Sequence, residues 1–197
     1  AAYRKSFLAE VGIAMATARA GNVIGGGDWS LDRLLPDIFR SIENGNKIKI
    51  RNPKSIRPWQ HVLEPLAGYL ILADCLYGEN GATYSEGWNF GPVDDDARSV
   101  EWIVGHVCDI WRGDVTWSIQ EGDHPHEANA LKLDISKARD RLGWVPRWCL
   151  ENALAHTVEW YRSWKDGKNM REISSQQIDS YVNMTLNGHD QNQKIRD

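Results

Sequence analysis

Residues 13–20, IAMATARA, are largely apolar with little alternation, the pattern of a strand buried in a parallel sheet. The chain passes at once into GNVIGGGDW. Three consecutive glycines, Gly25 to Gly27, continue neither strand nor helix cheaply, so this stretch is predicted as loop. Over 33–44, Leu35, Ile38, Phe39 and Ile42 recur on one helical face, with Pro36 tolerated in the first turn and Gly45 placed to end the helix. KIKIR at 47–51 alternates like a short strand. NPKSIRPWQHV carries two prolines and is predicted to be irregular. A second helix is predicted over 64–77, stopped by Gly78. A loop follows over 79–87, then a short strand, WNFG.

The second half reads similarly. A third helix is predicted over 99–112 with Ser99 as its N-cap, and VTWSI at 115–119 alternates like a strand. EGDHPHEANA is a polar loop and LKLD at 131–134 a brief extended piece. Ser136 is placed to cap a short helix ending at Gly143. Leu150, Leu154, Val158 and Tyr161 share one face of the clearest helix, 150–164. A short helix near 175–182 and a frayed polar tail from Asn183 complete the prediction. There is no internal repeat. The class is α/β, but incomplete, because a doubly wound sheet needs several parallel strands and only one convincing candidate is present.

Composition narrows the function classes. With 197 residues, the chain suffices for one domain with a sizeable core. The formal net charge of -4 argues against non-specific nucleic-acid binding. No apolar run is long enough for a transmembrane helix, so no membrane association is expected. The opening AAYRKSFLAE lacks a signal peptide's apolar core, and its lack of Met points to a truncated chain. Cys75, Cys108 and Cys149 are odd in number, widely spaced and set in apolar patterns. They suggest structural thiols in a reducing cytoplasm. Ten tryptophans are an outlying count, and core packing is the expected role for most of them.

Four polar clusters offer chemistry. Arg19 to Asn22 leads into the glycine run. There the backbone can approach a ligand closely and Asn22 can donate to a phosphate oxygen; a simple tight turn explains the same residues. The run is not a GxGxxG fingerprint and no helix follows it directly. Arg51 and Ile56–His61 form the second cluster. An arginine between proline and an aromatic suits a diphosphate clamp, with Trp59 on a sugar face, or equally a surface arginine beside a core tryptophan. The third is Asp123 to Glu127, where a carboxylate can take both hydroxyls of a ribose and a histidine can donate to phosphate. Its His–x–His spacing is a weak metal signal without a third ligand. Asp94 to Asp96 reads as a solvated acidic turn.

Taken together, ARAGNVIGGGDW, DRLLPDI, IRNPKSIRPWQHVLEPLAGYL, WNFGP and HPHEANALKLDISKARDRLGW resemble the CDP-glucose 4,6-dehydratases, members of the extended short-chain dehydrogenase/reductase family. The resemblance covers about residues 1–182. It implies an incomplete NAD(P)-binding Rossmann-like fold: the last sheet strands plus the smaller mixed α/β substrate-binding domain. Residues 1–30 would be a Rossmann remnant and 31–182 the nucleotide-sugar-binding region, with some segments returning to the sheet. Residues 183–197 would be a disordered tail. Asn22 would contact the diphosphate, Arg33 and Leu34 line the approach to it, Arg51 lie against the nucleobase and Arg57 clamp the diphosphate. Glu127 would reach the ribose. His124 stands where relatives carry a phosphate-binding arginine, which implies a weaker or pH-dependent contact.

The family's NAD-binding glycine loop and Tyr-x-x-x-Lys pair are not in the sequence, and Tyr3 is followed four residues later by Phe7. The chain therefore reads as the C-terminal part of such an enzyme. It is expected to bind CDP-glucose or a related nucleotide sugar, to hold no NAD itself, to lack activity alone and to form a homodimer, through residues 1–20 or by exchanging elements. The alternatives are a non-catalytic nucleotide-sugar-binding or dimerisation module, or half of another extended-family epimerase or dehydratase.

Overall fold

The computed structural model describes residues 4–8, 10–120 and 130–193, with backbone alone beyond Met184. Among the described residues, seven short strands lie in three sheets. β1 (Thr17–Ala20) pairs in parallel with β5 (Gly87–Phe90). β4 (Ile56–His61) stands between β2 (Asn22–Ile24), which is parallel to it, and β6 (Ala97–Ser99), which is antiparallel. β3 (Ile48–Ile50) pairs in parallel with β7 (Trp117–Ile119). The helices are α1 (Leu34–Glu43), α2 (Leu63–Tyr77), α3 (Val100–Trp111), α4 (Ser136–Leu142), α5 (Leu150–Lys165) and α6 (Met170–Gln193). Residues Arg4–Leu8 form one π-helical turn.

Two cores hold these elements. The larger joins α1, α3 and α5 to β3 and β4 through Ile38, Phe39, Ile50, Trp59, Val104 and Leu154. The smaller gathers Leu72, Trp88, Phe90, Ala138 and Trp144 between α2, α4 and β5. Trp59, Trp88, Trp144 and Trp148 are buried, in keeping with tryptophan as core material, whereas Trp29 and Trp164 are exposed. Among the described residues no helix is long and apolar enough to cross a membrane, and no acidic, histidine or cysteine group is arranged to hold a metal. All three cysteines are free thiols, and Cys149 is exposed.

The helices over 33–44, 64–77, 99–112 and 150–164 form as their periodicity predicts, and the Ser99 hydroxyl accepts the Trp102 N–H at 3.3 Å. Several expectations are overturned. The strand at 17–20 is parallel but largely exposed, because β5 is its one strand neighbour among the described residues. The predicted loop from Gly21 contains β2. A Cβ on Gly21 would lie 2.2 Å from the Pro58 carbonyl oxygen, so glycine lets the chain step from the β1–β5 pair onto β4.

Of the stretch predicted as irregular, residues 52–55 are so, but 56–61 form β4. Its Pro58 is tolerated because β6 pairs with residues 56–58 and β2 with residues 59–61, placing proline where one partner gives way to the other. Ser136 does not cap α4; its own N–H donates to the Asp134 carboxylate at 2.8 Å. The third aspartate of the 94–96 turn is more than solvated, accepting the Leu150 N–H at 3.1 Å at the start of α5. The tail predicted from Asn183 is helical through Gln193 as the continuation of α6.

Candidate functional site

A cleft of about 1240 Å³ opens between β2, β4, β3, α1 and the loop joining β2 to α1. Asn22, Arg33, Leu34, Arg51, Arg57 and Trp59 all line it, so one cavity gathers residues from across 38 positions of sequence. The parallel register sets Asn22 beside Trp59, and the strand period of two puts Arg57 on the same face as Trp59. Trp59 is buried in the core, its Nε1–H donates to the Arg98 carbonyl at 3.3 Å, and the residue also lines the cleft. In β3, Ile48 and Ile50 turn inward, which leaves Arg51 at the strand's end on the other side. Arg33 and Leu34 enter the cleft where α1 begins.

Among the described residues, basic groups outnumber acidic ones here. Arg33, Arg40, Lys47, Lys49, Arg51 and Arg57 line the cleft with Asp28, Asp32 and Asp37. Arg40 is committed to structure, donating to the Trp29 carbonyl at 2.8 Å, to the Ser30 carbonyl at 3.0 Å and to Asp37. Arg33 faces Asp28 at 3.5 Å and Arg51 pairs with Asp32 at 2.7 Å. Arg57 donates to the Ile56 carbonyl at 2.9 Å. Burial alone would raise the Asp28 carboxyl, but hydrogen bonds from Ser30 and the charges of Arg33 and Arg40 outweigh it and hold the group below the usual carboxylate range. The resulting surplus of positive charge suits an anionic ligand.

The glycine run serves packing. A Cβ on Gly26 would lie 2.0 Å from the Trp160 ring, and one on Gly25 2.9 Å from Val62. Gly27 has φ +79, a backbone that favours glycine. The Tyr161 hydroxyl donates to the Asp28 carbonyl, and burial together with the Asp28 charge pushes its pKa up to about 12, so it remains a donor. Trp29 packs against Tyr161 and Trp164. α5 thus fixes the loop that carries Asp28, Asp32 and Arg33. Gly25 also lines the cleft, and α1 starts only at Leu34, so no helix N-terminus follows the glycines directly as a dinucleotide fingerprint requires.

His124 and Glu127, with Asp123 and His126, lie outside the described residues. Of the described residues on either side, Gln120 lines the cleft and donates its backbone N–H to the Ile50 carbonyl at 2.7 Å, while the Leu131 N–H donates to the Ile56 carbonyl of β4 at 3.1 Å. Asp28, Asp32 and Gln120 were not singled out by sequence reasoning. Asp32 begins the DRLLPDI motif, but its partner Arg51 is 19 residues away, so no local pattern reveals the pair.

No protein-family model matches the chain. It is 52% identical over 189 residues to CDP-glucose 4,6-dehydratase of Salmonella typhimurium, covering 93% of this chain and 52% of that enzyme. Among solved structures, it superposes on UDP-N-acetylglucosamine 4-epimerase from Methanobrevibacter ruminantium, solved with UDP-N-acetylmuramic acid, with TM-score 0.69 and 21% identity, over 83% of this chain and 51% of the epimerase. It also superposes on dTDP-glucose 4,6-dehydratase from Bacillus anthracis in complex with NAD, with TM-score 0.63 and 18% identity, over 85% of this chain and 49% of that one. These structural likenesses show the fold, a partial Rossmann-like α/β arrangement. The chain spans about half the length of the relatives it matches. By sequence, over nearly its whole length, this chain is a relative of CDP-glucose 4,6-dehydratase.

Proposed function

We propose that this chain is the substrate-binding part of a sugar-nucleotide 4,6-dehydratase, a lyase that converts CDP-D-glucose to CDP-4-keto-6-deoxy-D-glucose. The observation that carries the reading is the cleft that gathers Asn22, Arg33, Leu34, Arg51, Arg57 and Trp59. Its basic surplus matches a nucleotide diphosphate. In this reading Arg57 and Asn22 hold the diphosphate, Arg33 and Leu34 line its approach, Arg51 lies against the base and Trp59 walls the pocket. His124 and Glu127 add phosphate and ribose contacts. The similarity to a CDP-glucose 4,6-dehydratase supports cytosine as the base.

The proposed domain division is a Rossmann remnant over 1–30 followed by the nucleotide-sugar-binding region over 31–182. The hydride chemistry of the whole enzyme belongs to its NAD. The sequence carries neither the family's NAD-binding glycine loop nor its Tyr-x-x-x-Lys pair, so we assign no cofactor contact and no catalytic residue to this chain, and it is inactive alone. It works in the cytoplasm as a homodimer. Phe7, Val11, Ile13 and Met15, exposed in the first stretch, support an apolar contact there.

Titration calorimetry with CDP and CDP-glucose tests the binding reading. Saturable binding is expected, with no 4-keto-6-deoxy product when NAD is added. Absence of binding by both ligands overturns the proposal, and turnover overturns the claim of inactivity.

A further inference from the structure

Asp32 has φ 59, in the left-handed region, and no glycine relieves it. A non-glycine residue held there costs free energy and persists where the surroundings fix it. The surroundings are the cleft. Asp32 Oδ1 accepts from Arg51 Nη2 at 2.7 Å, across from the loop to the end of β3, and both side chains stay half or more exposed at 74% and 52%. The pair therefore sets a carboxylate edge and a guanidinium edge side by side on the cleft wall and leaves both within reach of a ligand.

That juxtaposition is a hydrogen-bonding pattern. A carboxylate only accepts and a guanidinium only donates, so the wall reads acceptor, donor, donor. The pairing edge of cytosine reads donor, acceptor, acceptor, from its exocyclic amine through N3 to O2. Uracil and thymine present a carbonyl where cytosine has the amine and an N–H where it has N3. Against this wall a uracil carbonyl meets the carboxylate, and its N–H meets the guanidinium. Among the described residues the other acidic groups of the cleft differ: Arg40, beside Asp37, is taken up by two backbone carbonyls, and Arg33 stands 3.5 Å from Asp28.

We propose that Asp32 is a specificity-determining residue that, with Arg51, selects an amino-pyrimidine over a keto-pyrimidine. Arg51 supplies the donors and Asp32 the acceptor for the exocyclic amine. Asp32 also keeps the guanidinium oriented before the base arrives. This rests on the cleft being the nucleotide site proposed above.

Calorimetry on the chain with CDP, UDP and dTDP, repeated on Asp32→Asn and Asp32→Gly, tests it. Both variants tolerate the left-handed backbone. The native chain should prefer CDP over UDP and dTDP by about tenfold or more, the discrimination one bidentate base contact provides. In both variants that ratio should collapse toward one, with UDP binding unchanged or tighter because a negative charge has been removed. A native chain that binds CDP selectively while both variants keep the ratio overturns the assignment to Asp32 and leaves the nucleotide site standing. Failure of the native chain to bind any of the three overturns both.

Discussion

The Tyr181 hydroxyl donates to Glu64 Oε2 at 2.8 Å, and the carboxylate it meets is fully shielded from solvent. The same carboxylate accepts the Trp148 N–H at 2.8 Å and the Arg147 N–H at 3.1 Å. One acidic side chain at the start of α2 thereby ties down the turn before α5 and the middle of α6. Replacing Glu64 by Ala strands these donors in the interior. A loss of about 3–5 kcal/mol is expected, as for one partner removed from a buried charged network. Urea unfolding measures it, and a loss below about 1 kcal/mol would falsify this account of the junction.

His61 gives stability a pH dependence. It is buried, its Nδ1 accepts the Leu63 N–H at 3.3 Å, and its Nε2 has no hydrogen-bond partner among the described residues. Burial, helped by the nearby His156, lowers its pKa to about 3. The unfolded chain binds the proton more readily, so the neutral folded form contributes its full stability above about pH 6.5, and this is lost as pH falls toward 3. Between pH 7 and 5 the native protein should lose about 2 kcal/mol more than His61→Gln, at roughly 1.4 kcal/mol per pH unit. Parallel stability–pH curves for the two proteins would contradict this.

Two glycines should respond in opposite directions. Gly26→Ala drives a methyl group into the Trp160 ring and should destabilise by about 1–3 kcal/mol, the range for overpacking. Gly105 lies inside α3 with nothing within 4 Å of a Cβ, so Gly105→Ala should stabilise by about 0.5–1 kcal/mol. Thermal melts of both variants decide the matter, and a destabilised Gly105→Ala would count against the open space.

Arg57→Ala should weaken CDP binding by about 10- to 100-fold with little change in melting temperature, because a charge-assisted contact to phosphate contributes about 1.5–3 kcal/mol. Raising salt should narrow the gap between variant and native protein. Calorimetric titrations at two ionic strengths measure both effects, and unaltered CDP affinity in the variant removes Arg57 from the diphosphate site.

The amphipathic helices were legible because a 3.6-residue period survives on any helix with one buried stripe, as in Leu150, Leu154, Val158 and Tyr161. β4 was not, because Pro58 masks a strand whose two partners divide its length between them. The extent of α6 was hidden for another reason. Its sequence is polar, and its docking depends on Tyr181 reaching Glu64, Gln177 reaching the His156 carbonyl at 2.8 Å and Ser174 accepting the Trp160 N–H at 3.0 Å, all tertiary facts. The cleft residues Asn22, Arg51, Arg57 and Trp59 were named through their motifs, whereas Asp32 became visible only when folding set it against Arg51. In the glycine run, the packing of Gly26 under Trp160 was likewise hidden, because Trp160 lies far away in sequence.

The parallel pairings carry a kinetic consequence. Thr17 meets Gly87 and Ile48 meets Trp117, so each of these early strands waits for a partner far down the chain. As the polypeptide leaves the ribosome, the residues of β2, β3 and β4 that line the cleft are made before β5 and β7 exist. Closing such long loops slows folding relative to a helical bundle of the same size. During that interval the edges of β1 and β3 that will face β5 and β7 are unpaired, the kind of edge on which another strand can add.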